Sequence, residues 1–348
     1  MKAKVLFVVE QLEDSRYYSD LFHWLESESY EIWFFNLAQF KFNEATLAHR
    51  TILNTSSNYF MSMIQLMRLM HRFDVIHAHE FIPAFYSVIA KLVSFNQKKL
   101  IFHWHHGKSK GFKPFIMASF SMFFSDRIVF VSEEMRAINV GRKKIRNGKF
   151  KVIENGISVD PSPVDISRDI DICLLGRLRE EKGFLQALEA IAEIRQIHPQ
   201  LKVKLIGSGP QKEELKNKIA KLHLSDAVEM LGHIYNPIPF LHRSKILLVP
   251  SRSEPFGIVA IEGLGAGAVV VASRVGGLMH IIDHNKNGLL VGSNDLVGFS
   301  NSIHELLINH ALRTKLSEAG LEKFNLKYSA AKMAERYTLL YKELLNGS

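Results

Sequence analysis

Short apolar runs rich in β-branched residues alternate along the chain with longer stretches in which apolar positions recur every three or four residues. That alternation predicts α/β architecture with parallel sheets, because parallel strands need a crossover helix between them and are buried on both faces. In the first half, strands are expected at residues 5–10, 30–36, 74–78, 100–105, 127–131 and 151–153, with helices at 56–73, 83–94 and 112–124. In the second half, strands are expected at 171–175, 203–207, 228–231, 246–250, 269–272 and 288–291. Helices at 184–196, 210–222, 259–266 and 296–309 would separate them.

The rhythm breaks over residues 154–167, where NGISVDPSPVDIS brings together Gly, Pro, Asp and Ser without periodicity. Such a stretch reads as an interdomain linker. The expected organisation is a first doubly wound, Rossmann-like domain over residues 1–160 and a second over 168–327. A helix over 328–348 is long enough to cross back to the first. Open parallel sheets bind ligands at the carboxyl ends of their strands, so two facing units would hold a substrate in a central cleft.

Composition narrows the class. With 47% apolar and 23% charged residues, the 348-residue chain is neither collagen-like nor disordered. The single cysteine, Cys173, cannot form an intrachain disulfide. No basic-apolar-small leader pattern opens the sequence, and no apolar run reaches the roughly 18 residues of a spanning helix. A cytoplasmic chain is expected. The net charge of +9 is local: residues 91–151 alone carry +11 and the rest is slightly acidic.

Two stretches carry candidate chemistry. GRLREEKG, residues 176–183, follows an expected strand and precedes a helix. Arg177 and Lys182 can there point into one small volume above a helix N-terminus, where backbone N–H groups favour anions. Taken alone, the stretch fits either a diphosphate cradle or a solvated basic turn. EPFGIVAIE, residues 254–262, sets Glu254 in a loop and Glu262 inside the following helix. Between them, the N–H groups of Phe256, Gly257, Ile258 and Val259 are the unsatisfied donors of a helix start. Gly257 would let that backbone approach a ligand closely.

These stretches occur in order with GSGP (207–210), LGHI (231–234), PSRSEPFGIVAIEGLGAG (250–267), VVVASRVGG (269–277) and NGLLV (287–291). The set resembles the donor domain of retaining glycosyltransferases of family 4, over about residues 74–330. The first domain resembles them more weakly, through DVIHAHEF, HWHHG, FVSEEM and VIENGIS. The resemblance implies a GT-B fold and a retaining, metal-independent hexosyltransferase that uses a nucleoside diphosphate sugar, with UDP the expected nucleotide. It implies that Arg177 and Lys182, beside Gly176 and Gly209, neutralise the diphosphate and stabilise the leaving group. Glu254 would contact sugar hydroxyls, Glu262 the ribose, and main chain at His233 and Ile234 the base. A histidine ending the 100–105 strand would face the sugar, with His105 and His106 both open for that role. A nucleotide-sugar epimerase on the same fold, or a catalytically silent nucleotide-sugar-binding protein, is the alternative.

Two positions depart from the family. No Gly occurs between Met1 and Gly107, where relatives carry a Gly-rich turn after the first strand, so Ser15 or Arg16 would have to replace that contact. His280 stands where relatives often carry Glu. Asp169-Ile170-Asp171 mimics a metal-binding DxD but opens a strand, and reads as structural. His77, His79, His103, His105 and His106 crowd the ends of two expected strands, and His103 and His105 share a face, yet no carboxylate or thiolate partner lies nearby, so no metal is expected. Finally, KSKGFKPFIMASFSMFF, residues 108–124, joins three Lys to an apolar helix carrying five Phe. It fits either a core helix or one lying in an anionic headgroup layer. An anionic membrane surface bearing a lipid-linked or saccharide acceptor is the expected partner. Nucleic acid is not, since no groove-reading motif accompanies the charge.

Overall fold

A computed structural model describes residues 2–10, 16–27, 30–37, 58–105, 112–140, 148–160 and 167–346. The chain divides into two compact units, Met1–Ser158 with Ala330–Ser348, and Val159–Ser329.

The first unit holds β1 (Ala3–Val9), α1 (Arg16–Ser27), β2 (Tyr30–Asn36), α2 (Tyr59–Leu69), β3 (Val75–His79), α3 (Phe81–Val93) and β4 (Lys99–Trp104). It continues with α4 (Phe112–Phe124), β5 (Arg127–Phe130), α5 (Glu133–Val140) and β6 (Phe150–Val152). Its sheet is parallel, in the order β2-β1-β3-β4-β5-β6. Strand order reverses between β1 and β3, and such reversals are where open α/β sheets open a crevice for ligands. One face is packed by Val5, Phe7, Val75, Ile101 and Val129 against Leu21, Phe22 and Leu25 of α1.

The second unit contains β7 (Ile170–Leu175), α6 (Phe184–Ile197), β8 (Val203–Ile206), α7 (Lys212–Lys221), β9 (Val228–Gly232), α8 (Ile238–His242) and β10 (Ser244–Val249). After these come α9 (Ile258–Gly265), β11 (Val269–Ser273), α10 (Leu278–Ile281), β12 (Gly288–Val291), α11 (Leu296–Ile308) and α12 (His310–Lys323). The parallel sheet runs β12-β11-β10-β7-β8-β9, with its reversal between β7 and β10. Asp295 and Asn309 cap α11 and α12 by accepting from the N–H groups of Gly298 and Leu312.

A π-turn, Phe324–Tyr328, leads into α13 (Ala330–Leu345), which belongs to the first unit. Its buried Met333, Ala334, Tyr337, Leu340, Tyr341 and Leu344 follow the helical period and complete the core over α1. At about 1.5–3 kcal/mol per fully buried large apolar side chain, this stripe holds the C-terminal helix on the first sheet.

All twelve expected strands occur, with ends shifted by two residues at most. The expected helix at 56–73 is shorter: α2 ends at Leu69 and a 3-10 turn, Met70–Arg72, follows. Four helices were not expected: α1, α5, α8 and α10. Three of them are only four to eight residues long, too short for a periodic signal.

Candidate functional site

The second sheet brings the loops after β7, β8, β9 and β10 to one edge, because all of its strands are parallel. Main-chain hydrogen bonds stitch these loops in sequence across the edge. Gly207 N–H donates to the Gly232 carbonyl at 2.7 Å, and Gly176 N–H to Ile206 at 3.0 Å. Leu178 N–H donates to Ser208, and Arg252 N–H to Glu181, each at 2.8 Å. Gly277 N–H closes the series on the Glu254 carbonyl at 2.8 Å. The candidate donor-binding residues thus sit on a framework of backbone contacts.

Within this framework, Arg177 is exposed just after β7, and Gly176 and Gly209 shape the turns beside it. Lys182 ends a 3-10 turn before α6. Its Nζ donates to Glu254 Oε2 at 2.6 Å across the β7/β10 reversal, and the two side chains are 23% and 11% exposed. The diphosphate and sugar-hydroxyl candidates are therefore each other's partners. Phe256 is buried and Ile258 partly exposed. Ala260 and Ile261 N–H both return to the Gly257 carbonyl, so the donors of Phe256 to Val259 precede the first helical bond of α9. Glu262 is half-buried one turn on, and His233 and Ile234 follow β9, exposed and half-buried.

Gly257 has a reason beyond ligand approach. Its φ is +112°, and a Cβ there would lie 2.9 Å from Leu278 Cδ2 and 3.2 Å from Ile281 Cδ1. The glycine lets the loop close over α10. Gly276 is tighter still: at φ +49°, a Cβ would stand 2.1 Å from the Glu254 carbonyl oxygen. This bracing of Glu254 by the Gly276–Gly277 turn is a role the motif reading missed. The signal was the Gly-Gly pair itself, which a turn alone does not need. His280, just beyond, is exposed, and its carbonyl accepts from Lys323 Nζ and Tyr328 Oη, both at 3.2 Å.

Asp169 and Asp171 open β7 at the opposite edge. Asp169 is paired with Arg243, and Asp171 with Lys245 at 2.6 Å. Both carboxylates are engaged by cations, in keeping with a structural role. A cavity of about 490 Å³ lies at that edge, lined by these aspartates, His198, Lys202 and Lys245, away from the loops above. Cys173, inside β7, is buried, and desolvation pushes its thiol up to about 12. It is inert packing.

In the first unit, His105 follows β4 and is half-buried, its N–H donating to Glu80 Oε1 at 3.1 Å. His106 and Ser15 lie outside the described residues, as do Lys108 and Lys110. Arg16 opens α1. His77, His79 and His103 are all buried. On α4 only Ala118 and Ser121 are buried, whereas Phe112, Phe115, Ile116 and Phe123 are 79%, 57%, 47% and 74% exposed. Among the described residues, no helix is long and apolar enough to cross a membrane.

Comparison with known proteins matches residues 23–161 to the Glycosyltransferase Family 4 model and residues 161–323 to the model of Glycosyl transferases group 1. The lipopolysaccharide core biosynthesis glycosyltransferase LpsD of Rhizobium meliloti is 30% identical over 55% of this chain and 57% of its own length. An uncharacterized glycosyltransferase of Methanocaldococcus jannaschii is 33% identical over 63% of this chain and 60% of its own. The matched part is thus less than two thirds of these relatives' length. Among solved structures, Anabaena HepE in complex with UDP superposes with a TM-score of 0.82 at 19% identity, over 99% of this chain and 100% of that one. The lipopolysaccharide outer core galactosyltransferase WaaB gives 0.75 at 15% identity, over 98% and 99%. The two parallel sheets and these superpositions establish the GT-B fold, and the two family matches, meeting at residue 161, make the chain a member of the GT-B glycosyltransferases.

Proposed function

We propose that this chain is a retaining, metal-independent hexosyltransferase. It moves a hexose from a UDP-sugar to a hydroxyl of a lipid-linked saccharide, in the synthesis of a cell-surface polysaccharide or glycolipid. The observation that carries the reading is the Lys182–Glu254 pair at the strand reversal of the second sheet, with Arg177 in the same loop as Lys182. Cations and a carboxylate on these loops suit a diphosphate joined to a sugar. HepE complexes with UDP and with UDP-glucose support uridine diphosphate as the carrier, and LpsD supports a saccharide acceptor.

In the proposed reaction, the bond between the sugar C1 and the β-phosphate oxygen breaks. A bond from the acceptor oxygen forms on the same face, and the acceptor proton passes to the departing phosphate. Arg177 and Lys182 stabilise the charge that grows on the nucleoside diphosphate, the term that preorganised cations serve best. They take the place a metal holds in other transferases. Glu254, released from Lys182, accepts from sugar hydroxyls. Glu262 accepts from the ribose, main chain at His233 and Ile234 borders the base, and His105 or His106 faces the sugar.

The acceptor side is proposed to work at the cytoplasmic face of an anionic membrane. Exposed aromatics on α4 and the local charge of +11 over residues 91–151 support that placement. A donor panel with a lipid-linked acceptor tests the whole reading. Transfer from a UDP-sugar with retained anomeric configuration is the expected product. Isomerised donor, or donor binding without turnover, would overturn it.

A further inference from the structure

Neighbouring strands β3 and β4 carry an unusual face. His79 and His103 are register partners, and His77 and His105 lie two residues away on the same side of the sheet. Four imidazoles therefore occupy adjacent same-face positions on a face otherwise carrying Val5, Phe7, Val75, Ile101 and Val129. The ring centroids of His103 and His105 are 3.8 Å apart, and those of His77 and His79 are 4.5 Å apart. One ring nitrogen each from His77, His79 and His103 falls within a span of 4.8 Å.

The second nitrogens are largely spoken for. The Tyr341 hydroxyl lies 2.8 Å from His77 Nδ1, and that of Tyr337 lies 3.0 Å from His103 Nδ1, both reaching in from α13. His79 Nδ1 is 2.8 Å from His105 Nε2 and 3.2 Å from the Tyr18 hydroxyl. Yet Nε2 of His77 and Nε2 of His79 are fully enclosed and have no hydrogen-bond partner. Buried polar atoms are rarely left so. Two such atoms, in side chains 0% and 2% exposed and within reach of a third imidazole, ask for a common ligand.

We propose that His77, His79 and His103 form a buried site for a divalent transition metal of the zinc class. Neutral imidazoles are the donors such ions take, and three of them fill three positions of a tetrahedral site. Ligand nitrogens around tetrahedral zinc stand about 3.3 Å apart, so the rings would draw together by up to about 1.5 Å from the 4.8 Å span when metal binds. Hard ions such as magnesium are excluded, because the three ligands offer no oxygen. The two tyrosines take the outer position typical around metal-bound histidine, fixing the ring that binds. A metal here would tie the C-terminal helix to β3 and β4. The three ligands lie on β3 and β4 of the first unit, and the site does not rest on the proposed transferase reaction.

The test uses the full chain without a polyhistidine tag. Metal-free protein titrated with zinc should bind one equivalent tightly and melt at least 5 °C higher, with magnesium having no effect. Cobalt in place of zinc should give the intense visible bands of a tetrahedral nitrogen site. Replacing His304, which pairs with His198 at 3.0 Å on the second unit, should leave both signals unchanged. H79Q and H103Q, if folded by circular dichroism, should lose them. Failure of the wild-type protein to take up zinc, or a zinc signal abolished by the His304 change, would overturn the site. So would cobalt spectra of octahedral type.

Discussion

Lys182 Nζ lies 2.6 Å from Glu254 Oε2, joining the loop after β7 to the loop after β10. Each group is proposed to meet a different part of the donor, so the pair must open when diphosphate arrives. Changing its two members should have opposite effects on binding. Lys182→Ala removes a cation from the leaving group and should cut turnover about 100-fold or more, with weaker UDP binding. It should also cost about 1–3 kcal/mol of stability, because the half-buried carboxylate is left unpaired. Glu254→Gln frees Lys182, so UDP should bind as well or better while transfer falls. Calorimetry with UDP alongside steady-state rates separates these outcomes. Near-normal turnover of Lys182→Ala would sink its assigned role.

The Gly276 turn offers a second test. Alanine at φ +49°, with its Cβ 2.1 Å from the Glu254 carbonyl, must move the loop that carries Glu254. Gly276→Ala should destabilise the protein by about 2 kcal/mol or more. At about 2–4 °C per kcal/mol for a domain of this size, the melting temperature should drop by about 4–8 °C, and UDP affinity should fall with it. Gly148→Ala, whose Cβ would meet nothing within 4 Å, is the control and should melt within about 1–2 °C of wild type. Equal melting curves for the two variants would show that the brace is not needed.

How much of this was legible beforehand follows from what a linear pattern can carry. Strands buried on both faces announce themselves as apolar runs, so stretches such as 30–36 and 288–291 were delimited to the residue. The order of the two sheets, and hence the reversals at β1/β3 and β7/β10, depends on which strands pair, and no local signal encodes that. Arg177, Lys182 and Glu254 were visible as motif residues. The contact between Lys182 and Glu254, 72 positions apart, was not. The histidines show the same limit. The crowding of His77, His79, His103, His105 and His106 at two strand ends was visible, but the register that sets His79 opposite His103 was not.

The exposed face of α4 leads to a third prediction. Phe112 and Phe123 are 79% and 74% exposed, more than single apolar residues on an unpartnered helix need be. Lys113 lies on the same helix, and Lys108 and Lys110 precede it in sequence. Replacing the three lysines with Glu should abolish sedimentation with phosphatidylglycerol-containing vesicles. Phe112→Ser with Phe123→Ser should weaken it at high salt, where charge attraction is screened. Transfer to a short, water-soluble acceptor should be unchanged in both variants. Undiminished sedimentation of the Glu variant would return the segment to packing alone.

Asp169-Ile170-Asp171 separates metal-independent from metal-assisted transfer. Asp169 accepts from the Arg243 guanidinium, which holds its carboxyl down to about 2. A carboxyl with a depressed folded pKa stabilises the fold above its unfolded value, near 4, and loses that contribution as pH falls toward 2. The group is exposed, so the effect is small and best read by NMR of the labelled aspartate, whose midpoint should return to near 4 in Arg243→Gln. Because both carboxylates are tied to Arg243 and Lys245 at the edge of the sheet away from Lys182, Asp169→Asn and Asp171→Asn should transfer sugar within about twofold of wild type, the range left by a surface change below about 0.5 kcal/mol. Added magnesium or manganese should not raise the rate. A rate that depends on either ion and is lost in Asp171→Asn would replace the Arg177–Lys182 mechanism with a metal-assisted one.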